Sequence, residues 1–266
     1  VFSKIDYGER VTIGFQNNTV FTKGDLNEMI TKLRTTGLGK DYIGTIERKF
    51  IEEYQDRGYS KASILTHRSE RGPYNHITFF MNEGQRTTLD FIRFEGLSEK
   101  NQQIAYEFFE QAVSRLVQRR YYVEKEIDKG IQAVLENLQS RGFLFVKLIS
   151  KNIFFSKKDH VQIVVQLFEG EQTLTGDIHL EGFKFFSTDQ ILSTLNIQQG
   201  QAFNPFDIEV GLQRLQSLYF SEGFLEYQRL TTEDQIVEFI DNNRTGRIHL
   251  HIVEGPRIRI DGIEIR

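Results

Sequence analysis

The sequence has 266 residues, 39% hydrophobic and 26% charged, and its missing cysteine excludes disulfide staples and thiol chemistry. A formal net charge of −4 argues against a nucleic-acid partner, which needs a concentrated basic surface. No apolar run approaches the ~18–20 residues of a membrane-crossing helix.

Residues 1–9 read as the tail of an earlier unit, since Ile5-Asp-Tyr-Gly8-Glu-Arg10 resembles Glu254-Gly255-Pro-Arg257 in ending a strand on a turn. The chain opens on Val rather than Met and shows no signal peptide, so an internal or processed piece of a longer protein is expected. From Arg10, Val11-Thr-Ile13-Gly-Phe15 alternates at period two and predicts a strand. Asp25 with Glu28 predicts a capped short helix through Leu33, broken by Thr35-Thr-Gly-Leu-Gly39. Ile43, Ile46, Phe50 and Tyr54 then share a helical stripe, and Gly58 is placed to end it in the left-handed conformation. Tyr59 to Leu65 and His76 to Asn82 predict a hairpin around Ser69-Glu-Arg-Gly-Pro73.

The second unit opens on Ile92-Arg-Phe94-Glu-Gly96, with a helix expected over Ser98 to Arg120 and another carrying Ile127, Ile131, Val134, Leu135 and Leu138. Its hairpin is Phe143 to Phe155 with Val161 to Phe168. The third opens on Asp177-Ile-His-Leu-Glu-Gly182. Thr188 is expected to cap a helix with Ile191, Leu192 and Leu195, and Asn204-Pro205 to start another with Ile208, Leu212, Leu215 and Tyr219 on one face. Ile248-His-Leu-His-Ile-Val-Glu-Gly255 closes it. The alternation Ile260-Asp-Gly-Ile263-Glu-Ile265 then begins something further.

These elements repeat. Glu-Gly stands at 83–84, 169–170 and 254–255, spaced by 86 and 85 residues, and a Gly before an aromatic ring at 58, 142 and 223, spaced by 84 and 81. Periods of this size mark a supersecondary unit in tandem. The expected division is a preceding-repeat tail at 1–9, repeats at 10–86, 87–172 and 173–257, and the start of a following repeat or connector at 258–266. The middle repeat carries a longer first helix: Gly96 to Gly142 is 46 residues, against 41 for Asn17 to Gly58 and for Gly182 to Gly223. Such small units have little interior, and 23 Phe supply bulky rings to fill it.

Each unit reads β-α-α-β-β, an α+β fold of three modules, each a three-stranded mixed sheet with two antiparallel helices on one face. The third strands are the most apolar and are placed centrally, parallel to the first strands. The second strands are left as open edges. Ile248, Leu250 and Ile252 are expected to face the helices, with Arg247, His249 and His251 facing away.

The β-α-α-β-β order and the tandem joining resemble POTRA domains, the periplasmic repeats of outer-membrane protein assembly and translocation factors of the BamA and TamA type. The residues carrying the resemblance are Phe94-Glu-Gly96 and Leu180-Glu-Gly182 at first strands, Gly58-Tyr59, Gly142-Phe143 and Gly223-Phe224 after second helices, and the closing glycines Gly84, Gly170 and Gly255. Asn17 departs from the glycine of the other two first strands, and no barrel segment is present. A tail before the first unit and a head after the third favour a BamA-like array.

The resemblance implies a non-catalytic periplasmic arm of an outer-membrane protein that binds unfolded outer-membrane β-barrel proteins. Accessory lipoproteins or periplasmic chaperones are further expected partners, and a barrel would lie beyond Arg266 in the parent chain. A TamA-like or two-partner-secretion arm, or a spacer that docks partners without clients, is the alternative. The mechanism suited to the fold is strand addition at Ala62, Ser63, Ile64 and Leu65, at Val146, Lys147 and Leu148, or at Tyr227, Gln228 and Arg229. Short linkers, Gln85 to Thr88 and Glu171 to Thr173, suggest limited hinge motion.

No chemistry of another class stands out. His249 and His251 share a strand face but lack further ligands, so a polar row is expected, with no metal and no cofactor. Gly37-Leu-Gly39-Lys40 follows no apolar strand and reads as a helix-to-helix turn rather than a phosphate loop. Glu52, Glu53, Glu124, Glu126 and Asp128 fall on solvated helix faces. Arg115, Arg119 and Arg120 beside Tyr121 and Tyr122 read as a helix end rather than a nucleic-acid platform.

Overall fold

The computed structural model describes residues 10–36, 41–71, 74–259 and 262. The expected tail at 1–9, the turn at 37–40, the hairpin tip at 72–73 and most of the segment from 260 to 266 lie outside the described residues.

In the first repeat, β1 (Arg10–Gln16) is followed by α1 (Lys23–Thr36), α2 (Tyr42–Gln55), β2 (Ser63–Arg71) and β3 (Tyr74–Asn82). The sheet order is β1-β3-β2, with β3 central, parallel to β1 and antiparallel to β2. The expected helical stripe is the core: Ile46, Phe50 and Tyr54 are buried on α2 against Phe15, Ile77 and Phe79 of the sheet. Rings meet edge to face, Phe50 against Phe79 at 5.6 Å and Phe21 against Tyr54 at 4.8 Å. The cap of α1 is Thr22 rather than Asp25. Thr22 accepts from the Asp25 amide through its hydroxyl at 3.2 Å, and Asp25 reaches back to the Thr22 N–H at 2.8 Å, so Asp25 is the return arm of the capping box.

The middle repeat runs β4 (Thr88–Glu95), α3 (Glu99–Ala112), α4 (Arg115–Gln118), α5 (Glu124–Ser140), β5 (Lys147–Lys157) and β6 (His160–Phe168), with sheet order β4-β6-β5. The longer first helix expected over Ser98 to Arg120 is not one helix. α3 has 14 residues, as α1 does, and the chain turns extended at Ser114 before the four residues of α4. The extra length is a separate turn whose Ser114 amide is taken by the Glu126 carboxylate at 2.9 Å.

The third repeat runs β7 (Leu174–Glu181), α6 (Thr188–Leu195), α7 (Pro205–Ser221), β8 (Gln228–Arg229), a short 3-10 helix (Glu233–Gln235), β9 (Val237–Ile240) and β10 (Thr245–Val253). β10 is central, parallel to β7 and antiparallel to both β8 and β9. Ile248, Leu250 and Ile252 are buried, and Arg247, His249 and His251 lie on the other face. Asn204 caps α7 with Pro205 in its first turn, as the sequence predicts. α6 is capped one residue earlier than expected, by Ser187 with Gln190 completing the box. α7 packs close to α6 through Gly211, where a Cβ would come within 2.6 Å of the Leu195 carbonyl.

The eight glycines of the repeated motifs all have positive φ, and Asn17, at the position of Gly96 and Gly182, does too, at 61°. At Gly182 the requirement is absolute: a Cβ would stand 1.9 Å from the Ile252 carbonyl oxygen.

Packing divides the chain into two compact units. One comprises residues up to Arg93 with Phe109–Ile131 and Lys151–Val165. The other comprises Phe94–Phe108, Gln132–Ser150 and the residues from Gln166 on, so the middle repeat contributes segments to both. No helix among the described residues is long and apolar enough to cross a membrane.

Candidate functional site

The surfaces that fit a recognition role are the second strands, which lie outermost in their sheets. β2 has nine residues and β5 eleven, and among the described residues each has only the central strand as its neighbour. An outermost strand is a template for another extended chain.

The structure moves the inner end of each expected edge into the core. After Gly58 the Tyr59 amide folds back onto the Tyr54 carbonyl at 3.0 Å, and the Ala62 amide bonds the Tyr59 carbonyl at 3.1 Å. Phe143 with Val146, and Phe224 with Tyr227, make the same turn. Ala62, Val146 and Tyr227 are therefore buried, not exposed edge residues. The strands begin one residue later and, in the first two repeats, run further than the sequence indicated. Ser63, Ile64 and Leu65 lie on β2, with Leu65 71% exposed, and Lys147 and Leu148 lie on β5.

β5 also exposes Ile149, Phe154 and Phe155, none of which the sequence reading had selected. Lysines guard it. Lys147 stands over the Phe168 ring at 5.4 Å and Lys61 over Phe155 at 5.5 Å. The Lys151 ammonium meets Asp128 at 2.6 Å and Glu124 at 2.9 Å. Burial opposes its charge, but these two carboxylates outweigh that and raise its pKa. Glu124 and Asp128 thus hold a strand to a helix.

The third edge is different. β8 pairs only through Gln228 and Arg229, opposite Val253 and Ile252. The chain then leaves the sheet, with the Leu230 amide and the Thr231 hydroxyl both bonded to the His251 backbone at 2.8 Å, and rejoins as β9. Such a break disrupts the ladder and protects the edge. Tyr227, Gln228 and Arg229 do not present a continuous strand.

Each closing glutamate ties its strand to the loop entering the first helix. Glu83 accepts from the Thr19 and Val20 amides at 2.8 and 2.9 Å, from the Thr19 hydroxyl, and from the Tyr54 phenol at 2.7 Å. Glu254 accepts from the Lys184 and Phe185 amides at 2.7 and 2.9 Å and from the Tyr219 phenol at 2.8 Å. Glu169 accepts from the Ser98 amide at 3.0 Å and hydroxyl at 2.8 Å, and from Asn101. Burial acts to raise the Glu83 and Glu254 carboxyls, but the donors outweigh it and both lie below the ordinary range. Burial, then the carboxylate partner, pushes the Tyr54 and Tyr219 phenols well above theirs. The only sequence signal for this latch is the threefold Glu-Gly, which by itself reads as punctuation.

The linkers are bonded on both sides. The Thr87 amide donates to the Gly58 carbonyl at 2.9 Å while its carbonyl accepts from Tyr122 at 2.8 Å. Thr173 does the same with Gly142 and Phe203, at 2.8 and 2.9 Å. Both threonines are fully buried. Arg86 stacks between Tyr59 and Tyr121, at 5.4 and 4.9 Å from their ring centres. Tyr122 is buried, which removes it from any basic-aromatic platform with Arg119 and Arg120.

On the outer face of the third sheet His249 stacks on His179, with ring centres 5.0 Å apart. His249 lies 3.7 Å from Glu238, and His251 3.8 Å from Glu181. Among the described residues no three His, Cys, Asp or Glu side chains are grouped to hold a metal ion.

Residues 174–255 match the family model of POTRA, described as a surface antigen variable number repeat. The third repeat is therefore similar to a POTRA domain. The two sheets before it share its strand arrangement, with the first strand and an outer second strand flanking the last. The chain is 21% identical over 259 residues to a putative outer membrane protein assembly factor of Treponema pallidum, covering 92% of this chain and 29% of that protein. It is 21% identical over 159 residues to the outer membrane protein assembly factor BamA of Neisseria meningitidis, covering 56% of this chain and 19% of that one. The chain therefore spans less than a third of the curated relatives it matches. Among solved structures it is similar to POTRA3-5 of Haemophilus influenzae BamA, with 16% identity, 92% and 95% of the two chains covered and a TM-score of 0.46.

Proposed function

We propose that this chain is a non-catalytic scaffold of three tandem POTRA-type repeats, at 10–86, 87–172 and 173–257. In this reading it is the periplasmic part of an outer-membrane protein and receives unfolded outer-membrane β-proteins by strand addition. The observation carrying the reading is β5, eleven residues long and outermost in its sheet, with Leu148, Ile149, Phe154 and Phe155 exposed along it. Backbone hydrogen bonds to an added strand do not depend on the client's sequence, and apolar side chains beside them add modest selectivity. β2 is the second candidate edge and β8 is set aside by its break. Support for the assembly role comes from the POTRA match and from the naming of both curated relatives as outer membrane protein assembly factors. Accessory lipoproteins or chaperones would compete for the same edges, and a barrel would lie elsewhere in the parent protein.

The test is a titration of the chain with a peptide from the C-terminal β-strand of an outer-membrane β-barrel protein, followed by amide NMR. Shifts concentrated on Lys147 to Phe155 support the reading. An unmoved β5 and β2 at saturating peptide would leave a spacer or partner dock instead.

A further inference from the structure

The break in the third repeat's second strand opens a cavity. Where β2 and β5 are continuous, the chain between β8 and β9 bows away from β10, and its bow carries the 3-10 helix Glu233–Gln235. Thr232 fixes the bow, its hydroxyl bonding Asp234 at 2.5 Å and its amide the Gln235 side chain at 3.4 Å. The space left has a volume of about 660 Å³, within the size range of ligand pockets.

Its floor is apolar and fixed: Phe203, Ile208 and Ile236 are buried in one cluster. Its wall is aromatic and open. Phe145 and Phe239 meet edge to face at 5.6 Å, and they remain 39% and 40% exposed. The rim is acidic. Glu209, Glu233 and Asp234 line it against one cation, Arg229, whose guanidinium lies 4.0 Å from Glu233.

From this charge pattern we infer that the cavity is a second docking site, distinct from strand addition, for a partner protein segment that inserts an aromatic or branched aliphatic side chain flanked by Lys or Arg. The apolar floor accepts a side chain that backbone pairing would leave outside. Surplus carboxylates on the rim favour neighbouring cations and disfavour acidic segments. The partly exposed rings of Phe145 and Phe239 add to the attraction for a cation. Recognition here is by side chain, at the edge least able to pair backbone.

The test uses the whole 266-residue chain and three blocked peptides: acetyl-Lys-Phe-Lys-Leu-Lys-amide, its Glu-for-Lys counterpart, and acetyl-Lys-Gly-Lys-Gly-Lys-amide. With amide NMR at up to about 5 mM peptide, a weak-binding range, the first peptide is expected to shift Glu233 to Phe239 while leaving β5 unmoved. Raising salt from about 0.05 to about 0.5 M should weaken that response severalfold. A Glu209→Gln, Asp234→Asn double variant should weaken it about fivefold, with an unchanged spectrum elsewhere showing that it folds. An equal response to the acidic or the glycine peptide, a response confined to β2 or β5, or none at all overturns the inference. Because β5 is read in the same spectra, strand addition stands or falls separately.

Discussion

The Tyr54 phenol donates a 2.7 Å hydrogen bond to Glu83, joining the last turn of α2 to the end of β3, and Tyr219 donates to Glu254 at 2.8 Å at the matching place in the third repeat. In the middle repeat the corresponding helix position is Leu138, fully buried, and Glu169 takes Asn101 as a donor instead. The carboxylate is thus common to all three latches and the phenol to two.

A Tyr54→Phe variant removes one donor from a buried carboxylate without emptying the core. A hydrogen bond to a charged group contributes about 1.5–3 kcal/mol, so chemical denaturation should show a loss of that order for the unit containing the first repeat. Tyr54→Leu should cost more, since the Phe21 ring, 4.8 Å away edge to face, loses its partner as well. A Tyr54→Phe variant as stable as the parent would show that the three remaining donors from Thr19 and Val20 satisfy Glu83 unaided.

The same latches set the acid limit. Glu83 and Glu254 have folded pKa values below their ordinary 4.5, so near that pH the folded state binds fewer protons than the unfolded one. Their contribution is therefore present above pH 4.5 and fades as pH falls through the lower folded values. Tyr54 and Tyr219, raised above 10.0, add a loss on the alkaline side beginning above pH 10. Urea midpoints measured against pH should fall more steeply below pH 4.5 for the parent than for a Glu83→Gln, Glu254→Gln variant. Parallel curves would remove both carboxylates from the acid response.

Gly182 and Asn17 occupy one structural position with unequal freedom. Gly182→Ala places a Cβ 1.9 Å from the Ile252 carbonyl, on top of the roughly 1–2 kcal/mol for a left-handed side-chain-bearing residue. That variant should destabilise the third repeat by more than this conformational cost alone. Asn17 already holds φ at 61° with a side chain, so Asn17→Gly should stay within about 0.5 kcal/mol of the parent. Thermal melts of the two variants, side by side, separate the positions.

How far the sequence reached follows from where local patterns decide the structure. The stripe Ile46, Phe50, Tyr54 and the start Asn204-Pro205 are set by helix periodicity and capping, and they read directly. So does the alternation of Ile248, Leu250 and Ile252 on β10. The turns that bury Ala62, Val146 and Tyr227 were not legible, because a four-residue fold-back after a glycine keeps the same apolar spacing as an extended strand. The break at Ser114 was hidden too, for residues 98–120 contain neither Gly nor Pro. Thr232-Glu-Asp-Gln235 carries capping-box spacing, but over only four residues with no apolar helical run after it. The glutamate latch needs contacts across 29 to 71 residues, which no local pattern encodes.

The linkers are held more firmly than their brevity alone suggests. Gln85 to Thr88 and Glu171 to Thr173 look like hinges in sequence, yet Thr87 and Thr173 are buried with both backbone groups bonded. Ile258 makes the same bond to Gly223, at 2.9 Å, so the position recurs a third time. A flexible linker would exchange its amides near the unprotected rate, whereas a buried, bonded amide exchanges only when the surrounding structure opens. Hydrogen exchange should therefore protect the Thr87 and Thr173 amides as strongly as those of the central strands β3 and β10. Arg86→Ala should weaken that protection at Thr87 alone, because its guanidinium is the group held between Tyr59 and Tyr121. Fast exchange at both threonines in the parent chain would restore the hinge.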